Sequence, residues 1–245
     1  MDAMILAAGL GSRLRPLTDH TPKALIEVGG APMLDRVARR LIAAGADRLI
    51  VNTHHLAAQV EAFALASAAR WGVEVRVSPE PEGALETGGA LVAAAAHFRG
   101  DAPFFLHNAD ILSNLPLRAL HVAHLTRGDP LATVAVMDRP TARRLLFDDA
   151  GLLGRIDESR GIDLRVREPV GAVVALPFAG VHVISPRIHG LLTERGAFSI
   201  LDPYLRLAAA GERVLPFRVD GCTWLDIGRP AQLEEARRVA PHLAP

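Results

Sequence analysis

Ala3-Met4-Ile5-Leu6-Ala7-Ala8-Gly9-Leu10-Gly11-Ser12-Arg13-Leu14-Arg15-Pro16-Leu17-Thr18 stands at the start of the chain. Residues 3–6 form a short apolar run bounded by glycines, which reads as a buried strand feeding a loop. In that loop Ala8, Gly9, Gly11 and Ser12 are small enough to let backbone N–H groups face an anion. Arg13 follows and adds a guanidinium fork that fits several phosphate oxygens. The loop is not a dinucleotide-binding fingerprint, because Leu14 stands where a third glycine would. It is not a Walker loop either, since Gly-Lys-Ser/Thr occurs nowhere in the chain.

Downstream, apolar runs alternate with helical periodicity. Met33, Leu34, Val37, Ala38, Leu41 and Ile42 recur at helical spacing, with Pro32 expected at the first helical position and Gly45 just past the end. Strands are expected at 49–51, 73–77 and 104–106, and helices around Leu56–Phe63, 88–97 and 117–127. Such alternation implies crossover units and a largely parallel sheet. After about residue 131 the texture changes to strand-turn-strand, with 132–137, 143–147 and 152–156 around the turn Asp148-Asp149-Ala150-Gly151. The charged stretch 159–171 reads as a mobile loop, 181–184 as a strand, and 199–210 and 231–240 as helices. The expected fold is α/β, a three-layer sandwich with a mainly parallel central sheet and a small antiparallel insertion. One domain spans 1–245: a first part over about 1–130, a second over about 131–230, and a C-terminal helix over 231–245.

Composition narrows the function classes. Basic and acidic residues number 27 each, so bulk charge does not mark a nucleic-acid binder. Cys222 is the only cysteine, which excludes an intrachain disulfide and a multi-cysteine metal site. Neither a transmembrane-length apolar run nor a secretory leader is visible, so a cytoplasmic protein without a membrane partner is expected. Of the 27 basic residues only Lys23 is a lysine. Either one lysine survived a bias toward arginine, or position 23 needs a compact ammonium that a planar guanidinium does not replace.

The first stretch, with Thr21-Pro22-Lys23-Ala24-Leu25 and Pro32, resembles the signature of the sugar-phosphate nucleotidyltransferases, the nucleotide-sugar pyrophosphorylases. The resemblance implies a Rossmann-like fold and catalytic roles for Arg13 and Lys23 on the triphosphate and the sugar phosphate. Asn108-Ala109-Asp110, after an apolar strand, and Trp224-Leu225-Asp226-Ile227-Gly228 are similar to the family's two metal segments. They imply Asp110 and Asp226 as Mg²⁺ ligands, with Mg²⁺ as the cofactor. Ala109 replaces the family's usual glycine.

Glu80-Pro81-Glu82-Gly83-Ala84-Leu85-Glu86-Thr87-Gly88-Gly89 is similar to the nucleobase segment. It implies nucleotide contacts from Glu86, Thr87, Gly88, Gly89 and Asn108, with the base lying against the two glycines. For Glu86 a simple helix N-terminal charge is an equal reading. Phe178-Ala179-Gly180-Val181-His182-Val183 resembles the sugar-site strand, implying Asn108, Glu158 and Gly180 as sugar contacts. Ser159 stands where the family commonly carries a lysine, and Arg160 is a candidate replacement. His54 and His55 read as capping or packing residues rather than metal ligands.

Leu-Glu-Thr-Gly-Gly resembles the subgroup containing the N-acetylmuramate-1-phosphate uridylyltransferases of peptidoglycan recycling. The expected reaction joins an NTP to a sugar 1-phosphate and releases pyrophosphate, with UTP and N-acetylmuramate 1-phosphate as leading substrates. The alternative is GTP with mannose 1-phosphate, as in mannose-1-phosphate guanylyltransferases, or a related aldose phosphate. A non-catalytic nucleotide-sugar-binding regulator and a glycosyltransferase are different-class readings. Arg13, Lys23, Asp110 and Asp226 together speak against the first, and the Arg-Lys signature against the second. A lactyl sugar needs a cation near its carboxylate, and Arg143, Arg144, Arg160, Arg165 and Arg167 are candidates. From the length no C-terminal β-helix domain is expected, and the expected state is a monomer or small homo-oligomer.

Overall fold

In the computed structural model, which describes residues 1–243, the N-terminal apolar run becomes β1 (Asp2–Leu6), with Ala3, Met4 and Ile5 fully buried. Three 3-10 turns lead to a small clip of β2 (Glu27–Val28) and β3 (Ala31–Pro32), then to α1 (Met33–Ala43). The next elements are β4 (Arg48–Thr53), α2 (Ala57–Trp71), β5 (Glu74–Pro79), α3 (Glu86–Ala93), β6 (Phe104–Asn108), β7 (Ile111–Ser113) and α4 (Leu117–Thr126). There follow β8 (Ala132–Val136), β9 (Arg143–Asp148), β10 (Gly151–Asp157), β11 (Ile162–Arg165), β12 (Val174–Leu176) and β13 (Phe178–Ile184). The chain finishes with α5 (Ile188–Leu191), α6 (Leu201–Ala209), β14 (Val214–Arg218), β15 (Trp224–Asp226) and α7 (Pro230–Val239).

Seven strands make the central sheet in the order β14-β8-β13-β6-β1-β4-β5. Neighbours are parallel except at β13, which runs antiparallel to β6 and β8. Period-two alternation divides the strands between two apolar layers. Ala3, Ile5, Val51 and Phe105 pack with α1, α2 and α4 on one face. Met4, Ile50, Leu106 and Val134 pack with α3 and α6 on the other. A four-stranded antiparallel sheet, β11-β10-β9-β12, closes on that second layer through Leu145, Phe147 and Leu152. This is a three-layer α/β fold with an antiparallel insertion. Three strands drawn from residues 131–230, namely β8, β13 and β14, belong to the central sheet.

Several local expectations need correction. Pro32 caps α1 rather than opening it, because its extended ψ of 144° belongs to the β2–β3 clip. Residues 159–171 are not a free loop. β11 pairs with β10, and Arg167 grips Asp148 through two hydrogen bonds of 2.7 and 2.6 Å. Gly154 permits this pairing, since a Cβ there would strike the Leu164 carbonyl. The helix expected over 88–97 runs instead from Glu86 to Ala93 and is followed by a 3-10 turn. β14 carries Pro216 in register with Val134, which an edge strand tolerates because its outer N–H row is unpaired. No helix among the described residues is long and apolar enough to cross a membrane.

His107 on β6 and His182 on β13 are buried in the sheet. Burial pulls His107 down to about 4, and burial plus the neighbouring His107 pulls His182 down to about 3. Both therefore stay neutral when folded, while the unfolded chain protonates near 6.5. Their stabilisation is complete above that value and is lost as pH falls toward the folded values. Between pH 7.5 and 5 each should cost about 2 kcal/mol, before most carboxylates titrate. Urea midpoints should fall by an amount matching at least roughly 4 kcal/mol, since His124, also pulled down to about 4 by burial, adds to the pair; a flat profile over this range would contradict the buried neutral histidines.

Candidate active site

β1, β4, β5 and β6 end at one edge of the sheet, with Leu6 in register with both Asn52 and Asn108. Loops leaving the carboxyl edge of a parallel sheet diverge and open a crevice. Two adjoining cavities, of about 490 and 660 Å³, occupy it. Arg13, Glu86, Asn108, Asp110 and Ser199 line both. Because β13 is antiparallel, its first residues reach the same edge, and Phe178 and Gly180 line the second cavity.

The first cavity lies against the N-terminal loop. Ala8, Gly9, Gly11, Ser12, Arg13, Lys23 and Thr87 line it. Its frame is a hydrogen-bond chain. The Ala7 N–H donates to Asn52 Oδ1 at 2.7 Å, the Asn52 amide donates to Glu80 Oε1 at 2.7 Å, and Glu80 Oε2 accepts from the Leu85 N–H at 2.8 Å. Glu80 is only 3% exposed, so removing one partner would strand a buried carboxylate. Gly11 has φ +62°, and a Cβ there would stand 2.7 Å from Thr18 and 3.3 Å from the Lys23 stem. The absent side chain lets the lysine turn fold onto the loop. His54 Nδ1 and His55 Nε2 each lie 2.8 Å from a carbonyl, of Glu80 and Thr18 respectively, where they tie loops together.

Gly88 and Gly89 do not line either cavity. A Cβ on Gly88 would collide with the Phe198 ring, and one on Gly89 with the Gly196 carbonyl. The Gly88 N–H donates to the Phe198 carbonyl at 2.8 Å, and Thr87 Oγ1 accepts from the Ile200 N–H at 2.8 Å. These glycines bring segment 196–200 against α3, which delivers Ser199 to the boundary between the cavities. Glu86 reaches both cavities from an exposed position with φ +57°.

The charged centre sits where the cavities meet. β15 pairs antiparallel with β7, setting Asp226 opposite Ile111, and the Ile227 N–H donates to the Asp110 carbonyl at 3.0 Å. Two aspartates far apart in sequence thereby face each other. Lys23 Nζ hydrogen-bonds Asp110 Oδ2 and lies 3.7 Å from Asp226 Oδ1. The Gly228 N–H holds that same Asp226 oxygen at 2.6 Å. A Cβ on Gly228 would stand 2.7 Å from Asp226 Oδ1, 2.9 Å from Arg13 Nη2 and 3.2 Å from Lys23 Nζ. Among the described residues no cluster of three His, Cys, Asp or Glu side chains forms a metal cage. A pair of carboxylates suits Mg²⁺, which keeps several waters and shares phosphate oxygens.

In the second cavity Gly180, at φ +73°, leaves room for Asn108, whose Nδ2 would otherwise stand 2.8 Å from a Cβ. Glu158 is exposed and ion-paired with Arg144, outside the lining, whereas its neighbour Asp157 lines the cavity. Arg143, Arg144 and Arg160 also line it. Arg165 and Arg167 do not, the latter being committed to Asp148.

Residues 2–147 match the family described as Nucleotidyl transferase. The chain belongs to the nucleotidyl transferase family. It is 38% identical over 243 residues to the N-acetylmuramate alpha-1-phosphate uridylyltransferase of Caulobacter vibrioides, covering 97% of this chain and 96% of the relative. It is 35% identical over 240 residues to the enzyme of the same description from Neisseria meningitidis serogroup B, covering 98% of each. The mannose-1-phosphate guanyltransferase of Candida albicans is 28% identical, covering 94% of this chain and 62% of that protein. The inositol-1-phosphate CTP transferase of T. maritima shares the fold with a TM-score of 0.77 at 19% identity, covering 100% of this chain and 98% of that one.

For this nucleotidyl transferase the sequence reading missed Asn52, Ser199, Gly228 and Arg139, all lining the crevice. Only Gly228 had a visible signal, as the last residue of the second aspartate segment. Gly228→Ala should lower turnover by about 10-fold or more while leaving the melting temperature near wild type, since the added methyl displaces charged side chains rather than core. Steady-state kinetics alongside thermal unfolding reads both, and unchanged turnover would show that the close approach carries no function.

Proposed function

We propose that this nucleotidyl transferase joins UTP to N-acetylmuramate 1-phosphate, forming UDP-N-acetylmuramate and pyrophosphate. The observation that carries the reading is the gathering of Arg13, Lys23, Asp110 and Asp226 around Gly228, where two cavities meet. The two relatives described as N-acetylmuramate alpha-1-phosphate uridylyltransferases support the substrate pair. The first cavity, with its small-residue loop, suits the nucleotide. The second, beneath the antiparallel insertion, suits the sugar 1-phosphate.

An oxygen of the sugar phosphate attacks the α-phosphorus of UTP. A new P–O bond forms there, the bond to the bridging oxygen breaks, and its electron pair leaves with pyrophosphate. The nucleophile is already ionised at neutral pH, because its second pKa is about 6. No general base is therefore needed, and the residues' work is alignment and charge neutralisation. Arg13 follows the glycine loop and would hold the departing pyrophosphate with its fork. Lys23 offers a point charge that neutralises the α-phosphoryl oxygens as charge accumulates. Asp110 and Asp226 would hold a magnesium ion, which when bound supplies positive charge against phosphate oxygens.

N-acetylmuramate differs from N-acetylglucosamine by a lactyl carboxylate, and the second cavity carries Arg143 exposed and free of a carboxylate partner among the described residues. A charge-assisted contact is worth about 1.5–3 kcal/mol, so kcat/KM should favour the lactyl sugar by roughly 10- to 150-fold. Arg143→Gln should narrow that ratio. A wild-type preference for GTP with mannose 1-phosphate would transfer the chain to the guanylyltransferase reading. Turnover should cease in EDTA and return with Mg²⁺, and full activity in EDTA would remove the two-aspartate metal role.

A further inference from the structure

Seven arginines line the second cavity. Arg144, Arg155 and Arg160 are ion-paired, with Glu158, Asp202 and Asp157. Among the described residues Arg13, Arg139, Arg143 and Arg229 face no carboxylate within ion-pair distance. Arg13, Arg143 and Arg229 are exposed, whereas Arg139 is half-buried and fixed in place. Its guanidinium lies 4.1 Å over the Trp224 ring, and one terminal nitrogen donates to the Phe178 carbonyl at 3.1 Å. Its Nε is buried with no hydrogen-bond partner. Behind it, the Asp138 N–H donates to Asp220 at 2.7 Å, pinning the turn that carries it.

A planar cation stacked on an aromatic face is pre-organised, so little rotamer entropy remains to be lost when an anion arrives. Burial pulls the Arg139 pKa below the ordinary arginine value, and the charge of Asp226 pushes it back. Trp224 stands two residues before Asp226 on β15, and Arg139, Trp224 and Asp226 all line the second cavity. Trp224, on which it stacks, is itself anchored by its indole N–H to the Ala179 carbonyl at 2.9 Å.

We propose that Arg139 binds the phosphate of the sugar 1-phosphate. Arg160, the neighbouring candidate, is 76% exposed and turned toward Asp157 at 3.9 Å. The proposal rests on the second cavity being the sugar-phosphate site.

The test measures KM and kcat of Arg139→Met and Arg139→Lys with N-acetylmuramate 1-phosphate and N-acetylglucosamine 1-phosphate, each with UTP, and the calorimetric Kd for UTP. KM for both sugar phosphates should rise by about 10- to 100-fold in Arg139→Met, with the UTP Kd unchanged. Arg139→Lys should recover part of the loss, because it keeps the charge but not the fork or the stacking. An unchanged sugar-phosphate KM overturns the assignment. So does a loss confined to the lactyl sugar, which would place Arg139 on the carboxylate, or an equal loss of UTP affinity, which would mark general disruption. If the wild-type enzyme prefers another sugar 1-phosphate, the substrate reading fails by itself, and the same comparison is made with that sugar.

Discussion

A lysine ammonium held between two carboxylates organises the carboxyl edge of the central sheet in this protein. Lys23, Asp110 and Asp226 come from three separate parts of the chain, and each needs a different device to arrive. Gly11 lets the lysine turn fold onto the loop, β6 carries Asp110 to the sheet edge, and the β7–β15 pairing swings Asp226 opposite. Gly228 then closes the group by presenting an N–H to Asp226 where any side chain would collide with Arg13 and Lys23. Without substrate, the ammonium offsets the mutual repulsion of the two carboxylates. With phosphates present, the same charges face groups that carry several negative charges each.

The two cavities divide the work by their chemistry. The first is walled by small residues and framed by a fully satisfied buried network through Asn52 and Glu80, which fixes its shape. The second is walled by seven arginines, three neutralised by neighbouring acids and four without a carboxylate partner among the described residues. A small-residue slot lined by backbone suits a nucleotide. A cationic chamber beneath the antiparallel insertion suits an acidic sugar phosphate. Ser199, Glu86 and Asn108 reach both chambers, so the two cavities share part of their walls.

The parts read well from sequence are local. The strand-loop at residues 3–13, the amphipathic helix beginning at Met33, and the aspartate after the strand at 104 each carry their pattern within a dozen residues. Period and glycine placement suffice there. β15 went unread because it spans only three residues, and β14 because it contains a proline that only an edge position explains. Residues 159–171 misled through their charges, since Arg167 is satisfied by Asp148, a partner 19 positions away. Gly88 and Gly89 looked like room for a base, but the room is filled by Phe198 and Gly196.

By itself the sequence determined the layer architecture and the small-residue loop after β1, because these depend on residue type at short spacing, whereas the four charged side chains were singled out by resemblance to family motifs. Tertiary structure alone decided that Asp110 and Asp226 meet across β7 and β15, and that Asn52 and Glu80 frame the first cavity. It also decided that Arg139 rather than Arg160 is the fixed cation of the second. The physical reason is the same in each case. Pairing partners, burial and the stacking of a guanidinium on a ring are set by elements distant along the chain, and no short window of sequence contains both sides of such a contact.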